Sequence, residues 1–351
     1  MLKSFKYILK TLISLIAVLI ILMVLFIWRV SNGPVEIDGS SLLLRNVLIE
    51  QVIGKGVYFE RSVLTWRMPE NGSAGSGSLE IDFFNVESRN TENTVPFSIP
   101  EVNFQFSSTA LFRGIIAPTF IEFSGLELNL LLPRMDLFET SFNQDIFITS
   151  MRENFNNFDK SEDLMARYYR QILSAPSNQN STGYLEYMIL RDTKITLTDE
   201  ISGEIWKIPN ARLNVKRIDE GLSLLLEGEM NTKYKNNVPL QLSVQYNLEH
   251  KKTTTQVRFS NFVPAKIVRK VNSLSHFSSL DVPISGIVNF SINKNLELPI
   301  FDFEFDIGRG LINPANIYNA PIIIDEAKFV GQFITASDEI SIEKFNIQLD
   351  G

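Results

Sequence analysis

The sequence predicts a mainly β protein in which an N-terminal transmembrane helix precedes a largely antiparallel β meander with a few short helices. Three observations favour this fold class. Residues Thr11–Trp28 form an uncharged, mostly apolar run of 18 residues. From about Val35 onward, apolar and polar residues alternate with the period of two that is typical of strands. Hydrophobic residues make up 44% of the 351-residue chain, enough to bury a sizeable core and too many for a disordered chain.

The first predicted element is the apolar run, which extends back to about Ile8 if Lys10 snorkels. At about 1.5 Å per residue, a helix over residues 8–28 covers the ~30 Å hydrocarbon core of a bilayer. A cleaved signal peptide is the alternative, but its apolar region spans about 7–15 residues and precedes a small-residue cleavage site that Trp28–Pro34 does not offer. The residues expected to form the anchor are Leu12, Leu15, Leu19, Leu22, Phe26 and the interfacial Trp28.

Basic residues flank the predicted span unequally. Lys3, Lys6 and Lys10 precede it without any acid, and Arg29 alone follows closely. The positive-inside rule therefore places the N-terminus in the cytoplasm and the rest of the chain outside it. Residues 35–351 carry 29 basic and 40 acidic side chains, a net charge of -11. Such an acidic region is repelled by anionic bilayer surfaces, so membrane contact is expected through the anchor.

Strand patterns then follow one another every ~10–15 residues, separated by turn signals. In the clearest pattern, Phe301, Phe303, Phe305 and Ile307 alternate with acidic residues. A second pattern places Leu240, Leu242, Val244, Tyr246 and Leu248 on one side and polar residues on the other. Further alternating sets are Val102/Phe104/Phe106, Leu126/Leu128/Leu130, Ile195/Leu197, Leu213/Val215, Leu222/Leu224/Leu226, Val288/Phe290/Ile292, Ile340/Ile342 and Phe345/Ile347/Leu349.

Two segments depart from the strand period and predict helices. Mixed three- and four-residue spacings of apolar residues over about Ile148–Leu173 suit one or two helices, and a polar loop follows. Pro264–Leu274 suits a second short helix. The predicted organisation is an anchor over residues 1–31, a β region over 32–147, a helical insert with its loop over 148–182, and a second β region over 183–351.

The composition excludes several classes of function. With a pI of about 5.2, the chain lacks the excess of Lys and Arg that nucleic-acid binding requires. No Cys is present, which removes disulfides, thiolate nucleophiles and Cys-ligated metals. His250 and His276 have no second His or acidic cluster at ligand spacing. The Gly/Ser-rich stretch Pro69–Ser78 lacks the Lys-Ser/Thr pair of a phosphate-binding loop and reads as a turn. We expect no cofactor, no metal and no catalytic residue.

The alternating strands supply a large amount of apolar surface on one side. A compact sandwich would hide this surface by packing two sheets face to face. The alternative is an elongated, curved sheet whose apolar side stays open to hydrocarbon. Periodicity alone does not separate the two, since both have the same pattern.

Turn motifs occur in a recognisable order along the chain. Ile99–Phe104 is followed by Leu111–Pro118, with the sequence LFRGIIAP, and by Ile121–Leu128, with the sequence IEFSGLEL. Leu197–Trp206, Pro283–Gly286 and Gly308–Ile312 continue the series. This order resembles the AsmA-like superfamily and most of all its YhdP branch, which is related to TamB.

The resemblance implies a single-pass protein of the bacterial inner membrane, with most of its chain in the periplasm as an elongated, groove-like β-sheet that moves phospholipid toward the outer membrane. Members are generally longer, so the chain is expected to continue beyond residue 351 or to act with an outer-membrane or envelope protein. With the alternating strands, the resemblance predicts acyl-chain contacts at Leu240, Leu242, Val244, Phe301, Phe303 and Phe305. The alternatives are a TamB-like assembly factor whose strand edge pairs with a client strand, and an envelope enzyme.

Overall fold

The structure of the protein is a computed structural model. The described residues are 14–38 except 16, 19, 23 and 27; 57–67; 78–88; 98–132; 181–199; 205–231; 237–267; 279–293; 300–313; and 320–349 except 336 and 338. In this part of the chain the fold is mainly β, with 18 strands and few helical residues. The predicted mainly β class is confirmed. The helical insert predicted over residues 148–182 lies almost wholly outside the described residues.

Two compact units divide the chain: unit 1 holds Met1–Ile121 and Pro176–Tyr184, and unit 2 holds Glu122–Ala175 and Leu185–Gly351. In unit 1, β1 pairs with β3, β3 with β4, β4 with β5 and β2 with β4, all antiparallel. Helix α1 (Ser108–Phe112) follows β5, and β6 (Pro118–Ser124) leads into unit 2. The strands of unit 1 before β6 are β1 (Val35–Asp38), β2 (Val57–Tyr58), β3 (Arg61–Arg67), β4 (Ser78–Ser88) and β5 (Ser98–Phe106).

Unit 2 contains a long hydrogen-bonded series of strands in the order β7-β8-β9-β10-β11-β12-β14-β15-β17-β18. The short strands β13 and β16 pair with each other, and β16 also pairs with β17. The bounds are β7 (Glu127–Leu132), β8 (Tyr187–Asp199), β9 (Ile205–Ile218), β10 (Gly221–Asn231), β11 (Asn237–Asn247), β12 (Lys252–Phe262), β13 (Leu280–Asp281), β14 (Ile284–Ile292), β15 (Ile300–Ile307), β16 (Gly310–Ile312), β17 (Ile322–Ile334) and β18 (Glu339–Leu349).

The sheet is mixed, whereas the sequence predicts largely antiparallel pairing. β7 and β8 run parallel, with Leu128 opposite Ile195. A parallel neighbour needs a long crossover rather than a hairpin, and the residues between β7 and β8 supply that length. The predicted helix at Pro264–Leu274 is described only as the short helix α2 (Pro264–Ile267).

The N-terminal segment is helical where it is described. Leu15, Leu22, Phe26 and Trp28 are helical and exposed. The remaining residues of the anchor prediction, namely Leu12, Leu19, Lys3, Lys6 and Lys10, lie outside the described residues. Among the described helices, none combines the length and the apolar content that crossing a bilayer requires. The transmembrane anchor therefore stays a prediction.

Candidate apolar binding face

The register of unit 2 places the apolar residues of neighbouring strands opposite one another. One row across β8–β18 consists of Leu190, Leu213, Leu226, Leu242, Val257, Val288, Phe303, Gly331 and Ile342. The next row consists of Met188, Val215, Leu224, Val244, Thr255, Phe290, Phe301, Phe333 and Ile340. Since residues opposite each other in a sheet project from the same side, these rows define one surface, hereafter the apolar face.

All six residues predicted to contact acyl chains lie on the apolar face. Leu240, Leu242 and Val244 belong to β11, and Phe301, Phe303 and Phe305 belong to β15. The intervening strands β12 and β14 connect the two groups through Val257 and Val288, which pair with Leu242 and Phe303. The register thus brings together two segments that are some 60 residues apart in sequence.

Partial exposure distinguishes the apolar face from an ordinary core. All six predicted residues are only partly buried, whereas the corresponding alternating residues of unit 1 are buried completely. Phe104 and Val102 in β5 are 0% exposed, and Phe83 in β4 is 1% exposed. The same sequence pattern therefore gives a closed core in unit 1, whereas in unit 2 the apolar face is buried at Met188, Leu190 and Val215 and partly exposed at most positions from β11 onward.

The two ends of the apolar face differ in their packing. Near β8 and β9, Leu240 and Leu226 contact a small buried cluster formed by Ile195, Ile208 and Ala211. Leu240, which the sequence predicts as an acyl-chain contact, therefore also packs against this cluster. Toward β18, exposure increases, and the most exposed large apolar side chains include Ile340, at 65%, and Phe345, at 52%.

Phenylalanine rings cover the part of the apolar face formed by β14, β15 and β17. The ring centroids of Phe290 and Phe301 are 5.2 Å apart, and those of Phe301 and Phe333 are 6.2 Å apart. Phe303 and Phe305 stack at 5.1 Å with an interplanar angle of 11°. These contacts fix the rings side by side as a continuous aromatic surface.

Sequence reasoning missed several residues of the apolar face, chiefly Val257, Phe259, Phe329 and Phe333. In β12 the apolar positions before Val257 hold Thr253 and Thr255, which obscures the alternation. In β17 apolar residues occur on both sides of the strand, so the period of two is absent. The signal that could have identified Phe329 and Phe333 was their spacing of four, which places both on the same side.

The opposite side of these strands carries most of their polar and charged residues. Lys328 of β17 forms ion pairs with Glu304 and, at 3.3 Å, with Asp306 of β15. Hydrogen bonds to Glu304 and Asp306 raise the pKa of the Lys328 ammonium above its ordinary value. Gln256 donates to Asn289 at 2.9 Å, and Gln241 donates to Glu227 at 3.0 Å. This side is therefore richer in polar and charged side chains than the apolar face, although Ile287 and Val330 also lie on it.

Reactive groups do not converge in the described part of the chain. No group of three or more potential metal ligands occurs among these residues. His250 is exposed in the turn between β11 and β12, where its Nδ1 lies 3.0 Å from Asn247 Oδ1. His276 lies outside the described residues.

A small cavity of about 210 Å³ beside His250 is lined mainly by polar residues of the hairpin ends, including Glu220 and Lys252. The apolar face is the more extensive candidate for binding.

Comparison of the chain with models of known families, with curated proteins and with solved structures finds no match.

Proposed function

We propose that unit 2 binds the acyl chains of phospholipids along the apolar face and that the protein carries lipid across an aqueous compartment of the cell envelope. The observation that supports this function is the row of apolar residues from Leu190 to Ile342, whose members in the middle strands remain partly exposed. Large exposed apolar surfaces in soluble domains usually mark a binding site for a partner or a membrane component.

The energetics favour a lipid as the occupant of the apolar face. A two-chain lipid exposes roughly 30 methylenes, and each costs ~0.8 kcal/mol in water, so free transit is opposed by roughly 20 kcal/mol or more. Apolar side chains remove most of this cost without any specific polar contact. The surface around Leu242, Val288 and Phe303 offers such contacts across several adjacent strands.

The proposed function includes attachment to the inner membrane by the N-terminal helix over residues 8–28. Attachment would keep unit 2 near a source of phospholipid. An outer-membrane or envelope protein would receive the lipid at the far side of the aqueous compartment. Chemistry at a catalytic centre is not part of the proposal, because shielding of hydrocarbon requires none.

Neighbouring residues of one strand lie on opposite sides of the sheet, and this allows a stringent test of lipid binding. A photo-reactive phenylalanine analogue is introduced at Phe303 or Val244 on the apolar face, and at Asp302 or Gln245 on the polar side as matched controls one residue away. We expect phospholipid adducts, identified by mass spectrometry of the full chain, at Phe303 and Val244 only. Equal labelling at all four positions, or labelling of protein alone, would contradict the proposal.

A transfer assay tests the carrier activity separately from binding. Val288→Asp places a charge in the middle of the apolar face, whereas Asn289→Asp places it on the polar side of the same strand. We expect Val288→Asp to abolish transfer of a fluorescent phospholipid between vesicles and Asn289→Asp to retain it. Equal transfer rates in the two variants would argue against the apolar face as the path of the lipid.

A further inference from the structure

Hydrogen-bond donors lie along one border of the apolar face. Beyond the row that contains Val244, the register places one more row on the same side of β9–β14, which consists of Arg217, Leu222, Tyr246, Thr253 and Ile292. This row, hereafter the donor row, lies beside the β9–β10 and β11–β12 turns. It brings a guanidinium, a phenol and a hydroxyl group to the end of a surface that is otherwise mostly apolar.

Arg217 is the unusual member of the donor row. It continues along β9 the alternation of Leu213 and Val215, which lie on the apolar face, and it is partly buried. Burial lowers the pKa of the Arg217 guanidinium, and the attraction of the Glu186 carboxylate raises it by less. Desolvation of this cation therefore outweighs its attraction to Glu186, so a further anion beside it would be stabilising.

The opposite end of the apolar face is closed by apolar side chains. The buried Val238 is packed there against Trp206, Met230, Phe259 and Phe262. The rings of Phe259 and Phe262 lie 5.8 Å apart in an edge-to-face arrangement. A ligand group that lies against this end has to be hydrocarbon, because a charged group would lose its hydration without a polar partner. The apolar face is thus polar at one end of the strands and apolar at the other.

The length of the apolar face along the strands suits an acyl chain. From Thr253 in the donor row to Phe259, β12 advances by six residues, which is about 20 Å at ~3.4 Å per residue. The hydrocarbon part of one bilayer leaflet is about 15 Å thick, half of the ~30 Å core. A phospholipid of ordinary length can therefore reach from the donor row to the closed end.

We propose that the donor row binds the phosphate of the lipid, so that a phospholipid lies along β10–β14 with its headgroup between Arg217 and Tyr246 and its acyl chains toward Phe259 and Phe305. This inference rests on the proposed lipid binding. Arg217 and Tyr246 are two strand spacings apart, about 10 Å, which their long side chains bridge through a common phosphate. A guanidinium donates to two phosphate oxygens at once, and a phenol donates to a third.

The shared chemistry of the site is that of any phosphate, but a lipid headgroup is the proposed occupant. The donor row is continuous with the apolar face through Leu224, Val244 and Phe290 of the adjacent row. Thr253, next to Tyr246, adds a hydroxyl donor at the level where the ester groups of the lipid would lie. Free phosphate would use the donors alone and gain nothing from the apolar side chains.

The ratio of two affinities tests the phosphate site separately from the acyl-chain site. The full chain is titrated with a short-chain phosphatidylglycerol and with the diacylglycerol that has the same acyl chains but no phosphate. We expect Arg217→Gln to lower the ratio of phosphatidylglycerol to diacylglycerol affinity by about tenfold, the value of one charge-assisted hydrogen bond. Arg217→Lys, which keeps the charge, should retain part of the ratio. The matched control is Lys216→Gln, which removes a cation on the polar side of β9 and should leave the ratio unchanged.

The outcomes separate the phosphate site from lipid binding itself. Binding of both lipids with the same ratio in the wild-type protein and in Arg217→Gln would overturn the phosphate site and leave lipid binding intact. A wild-type protein that binds neither lipid would overturn both. Inorganic phosphate should not displace phosphatidylglycerol, and displacement at equal concentrations would assign the donor row to free phosphate instead.

Photo-reactive lipids test the direction in which the ligand lies. A phosphatidylglycerol with a diazirine at the end of one acyl chain should label residues around Phe259 and Phe305. The same lipid with the diazirine next to the glycerol should label residues around Tyr246 and Thr253, as mapped by mass spectrometry. A reversed pattern, or the same labelled residues for both probes, would contradict the proposed orientation.

Discussion

Two glycines let aromatic side chains of the apolar face lie over the backbone of a neighbouring strand. A methyl group on Gly286 would meet the Phe305 ring and lie 2.7 Å from the Glu304 carbonyl oxygen. On Gly331 it would lie 3.0 Å from the Phe303 ring. Glycine is therefore required at both positions, because a neighbouring strand and its phenylalanine ring lie too close for a side chain. The absence of a side chain lets each ring contact the glycine backbone.

Gly286→Ala should destabilise unit 2. The added methyl group has to displace both the Phe305 ring and the Glu304 backbone, and overpacking of this kind costs about 1–3 kcal/mol. Urea unfolding should show a lower midpoint for this variant. Ser291→Ala, a change of similar size on the polar side of β14, is the control and should leave the midpoint nearly unchanged. Equal midpoints for the wild-type protein and Gly286→Ala would contradict the close packing.

The Lys328 ion pairs predict a dependence of stability on alkaline pH. Glu304 and Asp306 raise the pKa of Lys328 in the folded state. Their contribution is complete below the unfolded-state pKa, and it is lost as the pH rises through the higher folded-state value. The difference in unfolding free energy between the wild-type protein and Lys328→Met should therefore be largest near neutral pH and decrease above about pH 10.5. A difference that stays constant up to about pH 12 would exclude these ion pairs as its source.

At the scale of single elements, bulges and caps decide where a pattern begins, changes or ends. Ile340 and Ile342 are out of phase with Phe345, Ile347 and Leu349, and sequence reasoning treats them as two separate alternating sets. The structure joins them in β18 by the extra residue Glu343. A bulge of one residue shifts the alternation and leaves all five side chains on the same side of the sheet.

Helix α1 should depend on its N-cap. Ser107 Oγ accepts a hydrogen bond from the backbone N–H of Ala110 at 3.2 Å. Loss of such a cap costs about 1 kcal/mol. Ser107→Ala should therefore lower the stability of unit 1 in thermal or urea unfolding, and Ser107→Asn, which retains a capping acceptor, should restore most of it. No difference between the two variants would mean that the cap is unimportant.

At the scale of the whole molecule, the two units use the same alternating pattern for different purposes. In unit 1, Ile81 and Phe83 of β4 and Val102 and Phe104 of β5 are at most 2% exposed. In unit 2, Leu242 and Val244 of β11, Val288 of β14 and Phe303 of β15 are partly exposed, although Val238 of β11 is buried. Stability is therefore expected to depend on the apolar positions of unit 1 more than on those of unit 2, where binding is proposed to occur.

Two single variants, each replacing one phenylalanine by alanine, test whether stability depends more on the apolar positions of unit 1 than on those of unit 2. Phe104→Ala removes a fully buried ring and should cost about 3–5 kcal/mol, enough to unfold unit 1 or nearly so. Phe303→Ala removes a partly exposed ring and should cost less than half as much. The Phe303→Ala protein should also bind less of an environment-sensitive apolar dye. Equal losses of stability in the two variants would contradict an open apolar face.

The sequence by itself determined the mainly β class, most of the strands of unit 2 and the side on which Leu242, Val244, Phe301 and Phe303 lie. A period of two depends only on the order of apolar and polar residues within one strand. It can therefore be recognised in the sequence wherever these residues alternate regularly. It also predicted polar residues for the opposite side, where Asp302, Glu304 and Asp306 are found. The parallel β7–β8 pair could not be read in this way because strand neighbours are not encoded in the period. Phe329 and Phe333 were missed because apolar residues occur on both sides of β17 and hide the alternation.

Only the tertiary structure decided which apolar surface is open. Val102 and Phe104 in unit 1 have the same alternation as Leu242 and Val244 in unit 2, yet the former are buried and the latter are partly exposed. Burial depends on whether other parts of the fold cover a side of the sheet, and no local pattern contains that information. The sequence could therefore predict apolar residues for lipid contact, whereas their accessibility depends on the packing of the folded chain.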